Sequence, residues 1–182
     1  MQYYAIHVLT RGEDDYRRRV ESSLDGRTIF VPKRALPVRR LGKVKKEMLP
    51  VFPGYVFVES ENILADLDFY WLLRHTTGFI RFLRDNIAPS PLNDRERLLL
   101  RHFMSFGDYA DTSKVAFDDN DRIVVISGPL KGLEGQIVKV NRRKGRAKVA
   151  LDICETGFLI DLGFEAVEKA TAKGGGEHED QR

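Results

Sequence analysis

The sequence predicts an α+β protein with two domains: a small sheet with helices packed on it, of ferredoxin-like type, followed by a small β-barrel. Residues 1–107 alternate between strand-like and helix-like patterns, whereas residues 121–170 contain only short strand-like runs separated by turn residues. Residues 108–120 are rich in aspartate, and we interpret them as an acidic linker. The polar segment 171–182 is predicted to be a disordered tail.

The first domain is predicted to follow the order strand-helix-strand-strand-helix-strand-helix. Its first strand, Tyr3–Leu9, is rich in aromatic and β-branched residues. Thr10 and Glu13 have the spacing of a capping box at the start of the first helix, and Asn93 and Glu96 have it at the last helix. Two strand-helix-strand units of this kind give a sheet with helices packed on it.

The second domain is predicted to be a barrel of short strands. Apolar residues alternate with outward-facing partners at Ala147, Val149 and Leu151, and Lys144-Gly145 lies where a hairpin turn is needed. The absence of any helical pattern favours a small barrel over a sandwich with helices. Strands are predicted over residues 122–127, 135–141, 146–151 and 158–162.

A basic segment lies between Lys33 and Lys46 and contains no acidic residue. Pro37 and Gly42 interrupt it, so we expect an exposed loop or a long flexible hairpin. Lysine and arginine side chains neutralise phosphates without selecting a sequence, which favours nucleic-acid binding, although a solvated charged loop is the simpler alternative. The candidate residues are Lys33, Arg34, Arg39, Arg40, Lys43, Lys45 and Lys46.

Composition limits the remaining classes of function. The chain has 182 residues, a formal net charge of +3 and one cysteine, Cys154, which cannot form an internal disulfide or a cysteine-based metal site. No run approaches the roughly 20 apolar residues of a membrane span, and no signal peptide is visible, so we expect a cytoplasmic protein without membrane contact. The four histidines are scattered, and residues 118–121 lack the glycine and distal glutamate of a calcium loop. We therefore predict no enzymatic activity, no metal and no cofactor.

Two motifs resemble the NusG family. Phe52–Val58 (FPGYVFV) is similar to the central strand of the family's amino-terminal NGN domain, and Asp121–Gly135 (DRIVVISGPLKGLEG) is similar to the opening of its KOW motif. Leu162–Lys169 also resembles the end of the family's sequence, so the resemblance extends from about Tyr3 to Lys169. It implies a ferredoxin/RNP-like NGN domain followed by an SH3-like KOW barrel.

The resemblance also implies an RNA polymerase-binding site. In the family, the aromatic strand forms an apolar depression that binds the clamp helices of the polymerase's largest subunit. Carried over to this sequence, the residues are Phe52, Tyr55 and Phe57. Alternation places Tyr55 and Phe57 on one face of the strand and Val56 and Val58 on the other. One face must be core, so a purely structural role for the rings stays open.

Two further sites are implied. The loop that opens the KOW motif is a candidate partner-binding site, although glycines at positive φ or close to another strand could simply shape the barrel. Arg74 falls near the region where specialised relatives such as RfaH contact exposed non-template DNA, so nascent RNA or non-template DNA is an expected partner. The loop residues are Gly128, Pro129, Lys131, Gly132 and Gly135.

The barrel departs from the common family pattern at Ile153–Thr156. Housekeeping members have an aromatic residue here that helps the barrel bind the termination factor Rho or a ribosomal protein, whereas this chain has Cys154 and Glu155. The departure argues against both contacts. It favours a specialised paralogue of the LoaP or RfaH kind that suppresses pausing and termination. The alternatives are a housekeeping NusG-type factor and a ribosome-associated KOW protein that binds RNA.

Overall fold

The structure is a computed structural model that describes residues 1–23, 26–40 and 43–167. The side chains of Arg39 and Arg40 and the predicted tail lie outside this description. The elements up to residue 107 are β1 (Gln2–Val8), α1 (Glu13–Glu21), β2 (Thr28–Phe30), β3 (Lys33–Arg40), β4 (Lys43–Pro50), β5 (Tyr55–Ser60), α2 (Leu67–His75), β6 (Phe79–Phe82) and α3 (Asp94–Met104). The later strands are β7 (Ser113–Phe117), β8 (Ile123–Ser127), β9 (Ile137–Asn141), β10 (Arg146–Ile153) and β11 (Thr156–Ala166).

The first domain is built on an antiparallel sheet with the strand order β2-β5-β1-β6. Val56 and Val58 face one side, where they pack with buried residues of α1 and α2 such as Tyr16 and Phe69. Tyr55, with Phe57, faces the other side, in a cluster that also contains Phe103 of α3. The predicted α+β fold and the alternation along β5 are confirmed.

The basic segment is a hairpin rather than a loop. β3 and β4 pair antiparallel from Lys33↔Pro50 to Arg40↔Lys43, which confirms the hairpin alternative and adds two strands to the predicted order. The hairpin is tied to the segment after α3, because the Ala35 amide donates to the Ala110 carbonyl and the Ala110 amide donates to the Lys33 carbonyl, both at 2.8 Å.

The second domain is a five-stranded sheet with the order β8-β7-β11-β10-β9. Its first strand, β7, lies inside the predicted linker 108–120 and pairs in parallel with the end of β11. No strand is predicted there from the sequence, because aspartates on either side of this short run dominate the composition of the segment. Gly145 has a φ of 60° in the turn between β9 and β10, as predicted for that position.

The two predicted capping boxes have different outcomes. Asn93 and Glu96 form a complete capping box at the start of α3. The prediction for Thr10 and Glu13 is wrong, because α1 begins after Gly12 without a side-chain cap. Glu13 is buried and instead accepts a hydrogen bond at 2.6 Å from the amide of Gly54, in the turn before β5. This long-range partner cannot be read from local spacing.

The glycines of the KOW loop differ in what they require. Gly128 has a φ of +92°, and a Cβ there would lie 2.6 Å from the Ser113 Cα. Gly132 has a φ of +85° in open space. At Gly135 neither a positive φ nor a close neighbour within 4 Å is found, so the expected need for glycine is wrong at that position.

These differences predict unequal effects of alanine. Gly128→Ala is expected to lower the free energy of unfolding by about 1–3 kcal/mol, because it adds both a steric overlap and a disfavoured φ. Gly135→Ala serves as the matched control and is expected to change it by less than about 0.5 kcal/mol. Chemical denaturation of the two variants measures the difference, and equal stabilities would contradict the assignment.

Candidate functional site

The three predicted polymerase-binding rings lie together on one face of the first sheet. Phe52 packs edge-to-face against Phe57, with ring centroids 5.6 Å apart, and against Phe103 of α3 at 5.8 Å. Tyr55 lies on the same face and stacks on His7 of β1 at 5.0 Å. We call Phe52, Tyr55 and Phe57 the aromatic face.

The barrel covers the aromatic face. Phe52, Tyr55 and Phe57 are 1%, 6% and 0% exposed, so the accessible hollow expected from the sequence is not open in this structure. Phe158 of β11 packs edge-on against both Phe52 and Tyr55, with centroid distances of 5.8 Å. The Tyr55 hydroxyl lies 3.5 Å from the Thr156 Oγ1. The other domain therefore supplies apolar cover to Phe52 and Tyr55 through Phe158, while Phe103 covers Phe52 from within the first domain.

A buried carboxylate joins the two domains beside these rings. Glu96 Oε2 accepts from the Asn93 amide at 2.9 Å and from Arg84 Nη2 at 3.0 Å. Glu96 Oε1 accepts from the Cys154 amide at 2.9 Å, across the domain boundary. Arg84 Nε in turn donates to Glu155 Oε1 at 3.1 Å. Sequence analysis assigned Glu96 only to the helix cap and did not identify Arg84.

The barrel reaches this carboxylate with a strained turn. Cys154 and Glu155 form the two-residue turn between β10 and β11, and both have a left-handed φ, 59° and 57°. Such turns usually contain Asn-Gly, because the left-handed region costs a side-chain-bearing residue roughly 1–2 kcal/mol. Here the Cys154 amide is oriented toward Glu96. Burial, and then the nearby Glu96, raise the pKa of the Cys154 thiol well above its usual range, so it remains protonated.

The basic hairpin also contacts the barrel. Arg146 Nη2 of β10 donates to the Pro37 carbonyl at 2.6 Å. Gly163 of β11 lies so close that a Cβ there would be 2.9 Å from both Pro37 and Thr112. The hairpin therefore braces the barrel on the side away from the Cys154 turn.

The predicted nucleic-acid residues of the hairpin differ in accessibility. Arg34 is only 8% exposed and donates to the carbonyls of Pro50 and Val51, and burial lowers its pKa to about 10. Its role as a phosphate contact is therefore not supported in this structure, because its guanidinium serves buried backbone carbonyls. Lys43 and Lys45 are exposed.

The two other lysines of the predicted set are paired. Lys33 Nζ lies 2.8 Å from Asp14 Oδ1. Lys46 Nζ lies 2.7 Å from Asp111 Oδ1, and this hydrogen bond raises the Lys46 pKa.

Arg74 is held on the surface of α2 by aromatic rings. Its guanidinium lies 5.4 Å from the Tyr70 ring centroid and 5.2 Å from that of Trp71, and Nη1 donates to the Tyr70 hydroxyl at 2.7 Å. Trp71 is 46% exposed and stacks on His75 at 5.2 Å. Arg74 is thus half-buried between the buried Tyr70 ring and the exposed Trp71 ring.

The KOW loop contacts the first domain on one side. His102 Nε2 of α3 lies 2.8 Å from the carbonyl of Pro129, which accepts the hydrogen bond. Lys131 Nζ donates to the Val125 carbonyl at 3.2 Å. Lys131 and Gly132 are nevertheless exposed to solvent.

Residues 1–23, 26–40 and 43–167, which the structure describes, contain neither a metal-binding cluster nor a membrane-spanning helix. No group of three or more histidine, cysteine, aspartate and glutamate side chains in those ranges could hold a metal ion. No helix there is long and apolar enough to cross a bilayer.

Comparison with known proteins gives consistent results over both domains. The family model "Transcription termination factor nusG" matches residues 1–101, and the model "KOW motif" matches residues 120–149. The transcription termination/antitermination protein NusG of Thermus thermophilus is 25% identical over 187 residues, covering 93% of this chain and 99% of the relative. The NusG protein of Pseudomonas aeruginosa is 30% identical over 180 residues, covering 92% and 98%.

A solved structure described as "Domain interaction in Thermotoga maritima NusG" has a TM-score of 0.56 at 20% identity, covering 89% of this chain and 93% of the other. It supports the fold. The family model extends over more than half of the 182 residues, and the Pseudomonas relative matches along nearly the whole chain. The chain therefore belongs to the NusG family of transcription termination/antitermination proteins.

Proposed function

We propose that this protein is a transcription elongation factor that binds the clamp helices of RNA polymerase through its aromatic face and suppresses pausing and termination. The supporting observation is that Phe158 of the other domain covers Phe52 and Tyr55. The opposite side of the first sheet has its own buried cluster, formed with α1 and α2. Removal of the barrel would therefore expose an aromatic surface without opening that cluster. Large rigid rings of this kind are typical anchors of protein interfaces.

Polymerase binding then requires release of the barrel. Phe158 occupies the aromatic face in the closed arrangement, so polymerase and barrel compete for the same rings. A partner that binds only the open form shifts the population toward that form. Because only open molecules can bind, the apparent affinity equals the affinity of the open form multiplied by the fraction of molecules that are open. Bound across the clamp, the first domain would disfavour the open, paused state of the polymerase.

Nucleic acid is a second proposed partner. Lys43 and Lys45 are exposed on β4, and the half-buried Arg74 lies against the exposed Trp71 ring of α2. These side chains suit phosphates of nascent RNA or of exposed non-template DNA, since such contacts need charge but no base sequence. Such a factor would act in the cytoplasm.

We propose a specialised paralogue of the LoaP or RfaH kind rather than a housekeeping factor. The proposal is based on the Cys154-Glu155 turn, which contacts Glu96 and Arg84 of its own chain instead of presenting an aromatic residue. Rho and the ribosomal protein are accordingly not proposed as barrel partners. The housekeeping role is the alternative, because the relatives from Thermus and Pseudomonas both carry the NusG name. A purely ribosomal KOW protein does not account for the match over residues 1–101.

Competition between polymerase and barrel predicts that removing either of two contacting rings, Tyr55 and Phe158, has opposite effects on polymerase affinity. Tyr55→Ala is expected to weaken binding to core RNA polymerase at least tenfold, the loss typical of an interface anchor. Phe158→Ala is expected to strengthen binding, because it removes the ring that covers the site. Equilibrium binding of the full chain measures both, with thermal unfolding as the test of folding. Absence of binding by wild type and by Phe158→Ala, or unchanged binding by Tyr55→Ala, would contradict the proposal.

The hairpin lysines predict a salt-dependent contact. Replacing Lys43 and Lys45 with glutamine is expected to weaken binding to single-stranded nucleic acid and to reduce the slope of log K against log salt by about 0.7 per lysine. Lys114→Gln, an exposed lysine on β7, provides the control. A slope that is the same in all three proteins would show that the hairpin is only a solvated charged element.

A further inference from the structure

The Cys154-Glu155 turn and Phe158 present three chemical features to the first domain. Phe158 gives an apolar ring to Phe52 and Tyr55, Glu155 gives a carboxylate to Arg84, and the Cys154 amide gives a hydrogen-bond donor to Glu96. The polar contacts therefore lie beside the apolar one. Together they specify an orientation, which an apolar contact alone does not.

The receiving side of this contact belongs entirely to the first domain. Arg84 Nη1 donates to the Pro91 carbonyl at 3.1 Å, and Nη2 donates to Glu96. Glu96 is also held by the Asn93 amide. These contacts do not involve the barrel, so the Arg84–Glu96 pair remains in place when the barrel leaves. Glu96 Oε1 also accepts from Arg84 Nη2 at 3.2 Å within the first domain. What the barrel adds is one acceptor for Arg84 Nε and a second donor for Glu96 Oε1.

Any other partner that covers the aromatic face meets the same two polar atoms, Arg84 Nε and Glu96 Oε1. In the open form, water can satisfy Arg84 Nε and Glu96 Oε1. A partner that removes this water without replacing its hydrogen bonds leaves buried charged groups incompletely paired, which is costly. A partner that reproduces the barrel's polar contacts avoids that cost.

We infer that the polymerase segment bound at the aromatic face matches the barrel's chemistry: a carboxylate for Arg84, a hydrogen-bond donor for Glu96 and a large apolar side chain for Phe52 and Tyr55. Arg84 and Glu96 are thereby additional polymerase-binding residues. This inference rests on the proposed function, because it describes the partner of the same surface.

The competing explanation is that Arg84 serves only to hold the barrel closed. The two explanations predict different changes in polymerase affinity when Arg84 is replaced. If Arg84 acts only on the barrel, its loss frees the aromatic face and polymerase binding rises or stays constant. If polymerase also uses Arg84, its loss weakens binding once the barrel no longer competes effectively. The comparison is therefore made in full-length Phe158→Ala, where the main apolar contact of the barrel is removed.

The experiment measures the affinity of core RNA polymerase for Phe158→Ala and for the same chain carrying Arg84→Gln. The expected result is a further loss of about tenfold, as for a hydrogen bond to a charged group. Arg95→Gln in the Phe158→Ala chain is the matched control. Arg95 lines the same cleft as Arg84, Glu96 and Glu155, but it is exposed. Its affinity is expected to stay within about twofold of the background, which is the scale of a surface change.

Folding is checked by thermal unfolding of each chain. If Arg84→Gln does not fold, Arg84→Lys replaces it: lysine can neutralise Glu96, but its single nitrogen cannot also serve a second carboxylate in the arginine fork geometry, so at least a threefold loss is expected. Unchanged or stronger binding by the folded Arg84 variant overturns the inference while leaving the proposed function intact, and so does an equal loss for Arg95→Gln. Absence of polymerase binding by Phe158→Ala overturns both.

Discussion

The arrangement of the two domains depends on one buried carboxylate. Glu96 completes the cap of α3 through the Asn93 amide, neutralises Arg84 after β6, and accepts the Cys154 amide of the barrel. Without Arg84 the buried Glu96 carboxylate loses its ionic partner, and without Glu96 the left-handed Cys154-Glu155 turn loses the acceptor of its amide. The closed arrangement is thus a specific state and not a loose apolar contact.

The two faces of the first sheet are covered by different parts of the molecule. One face is sealed by α1 and α2 within the first domain, and the other shares a continuous cluster with the barrel. Because β5 contributes alternate residues to both, Val56 and Val58 pack within the first domain, while Tyr55 and Phe57 belong to the cluster that is shared with the barrel. The basic hairpin adds a second attachment through Pro37 and Arg146. Closure therefore combines the Phe158 apolar contact, the Cys154 amide bond to the buried Glu96 carboxylate, an exposed Arg84–Glu155 ion pair and the contact of Arg146 with the hairpin backbone.

Sequence analysis predicted what depends on local spacing and failed where the partner is distant. The α3 cap was found because Asn93 and Glu96 are three residues apart, and the alternation of β5 followed from a period of two. The contacts from Arg84 to Glu155 and from Glu13 to the Gly54 amide join residues far apart in the chain. Arg34 was counted with its basic neighbours, yet its guanidinium turns inward to backbone carbonyls. Charge density identified the hairpin, but only the fold separates its buried arginine from its exposed lysines.

The covering of the aromatic face also couples binding at that face to binding at the Cys154-Glu155 turn. The Cys154-Glu155 turn is engaged with Glu96 in the closed form, so any ligand of that turn and any ligand of the aromatic face both select the open form. By linkage, each must then raise the affinity of the other by the same factor, with no contact between them. The size of that factor cannot exceed the preference for closure, and it vanishes once a variant is already open. The domain contact thus sets how strongly binding at the aromatic face and binding at the Cys154-Glu155 turn depend on each other.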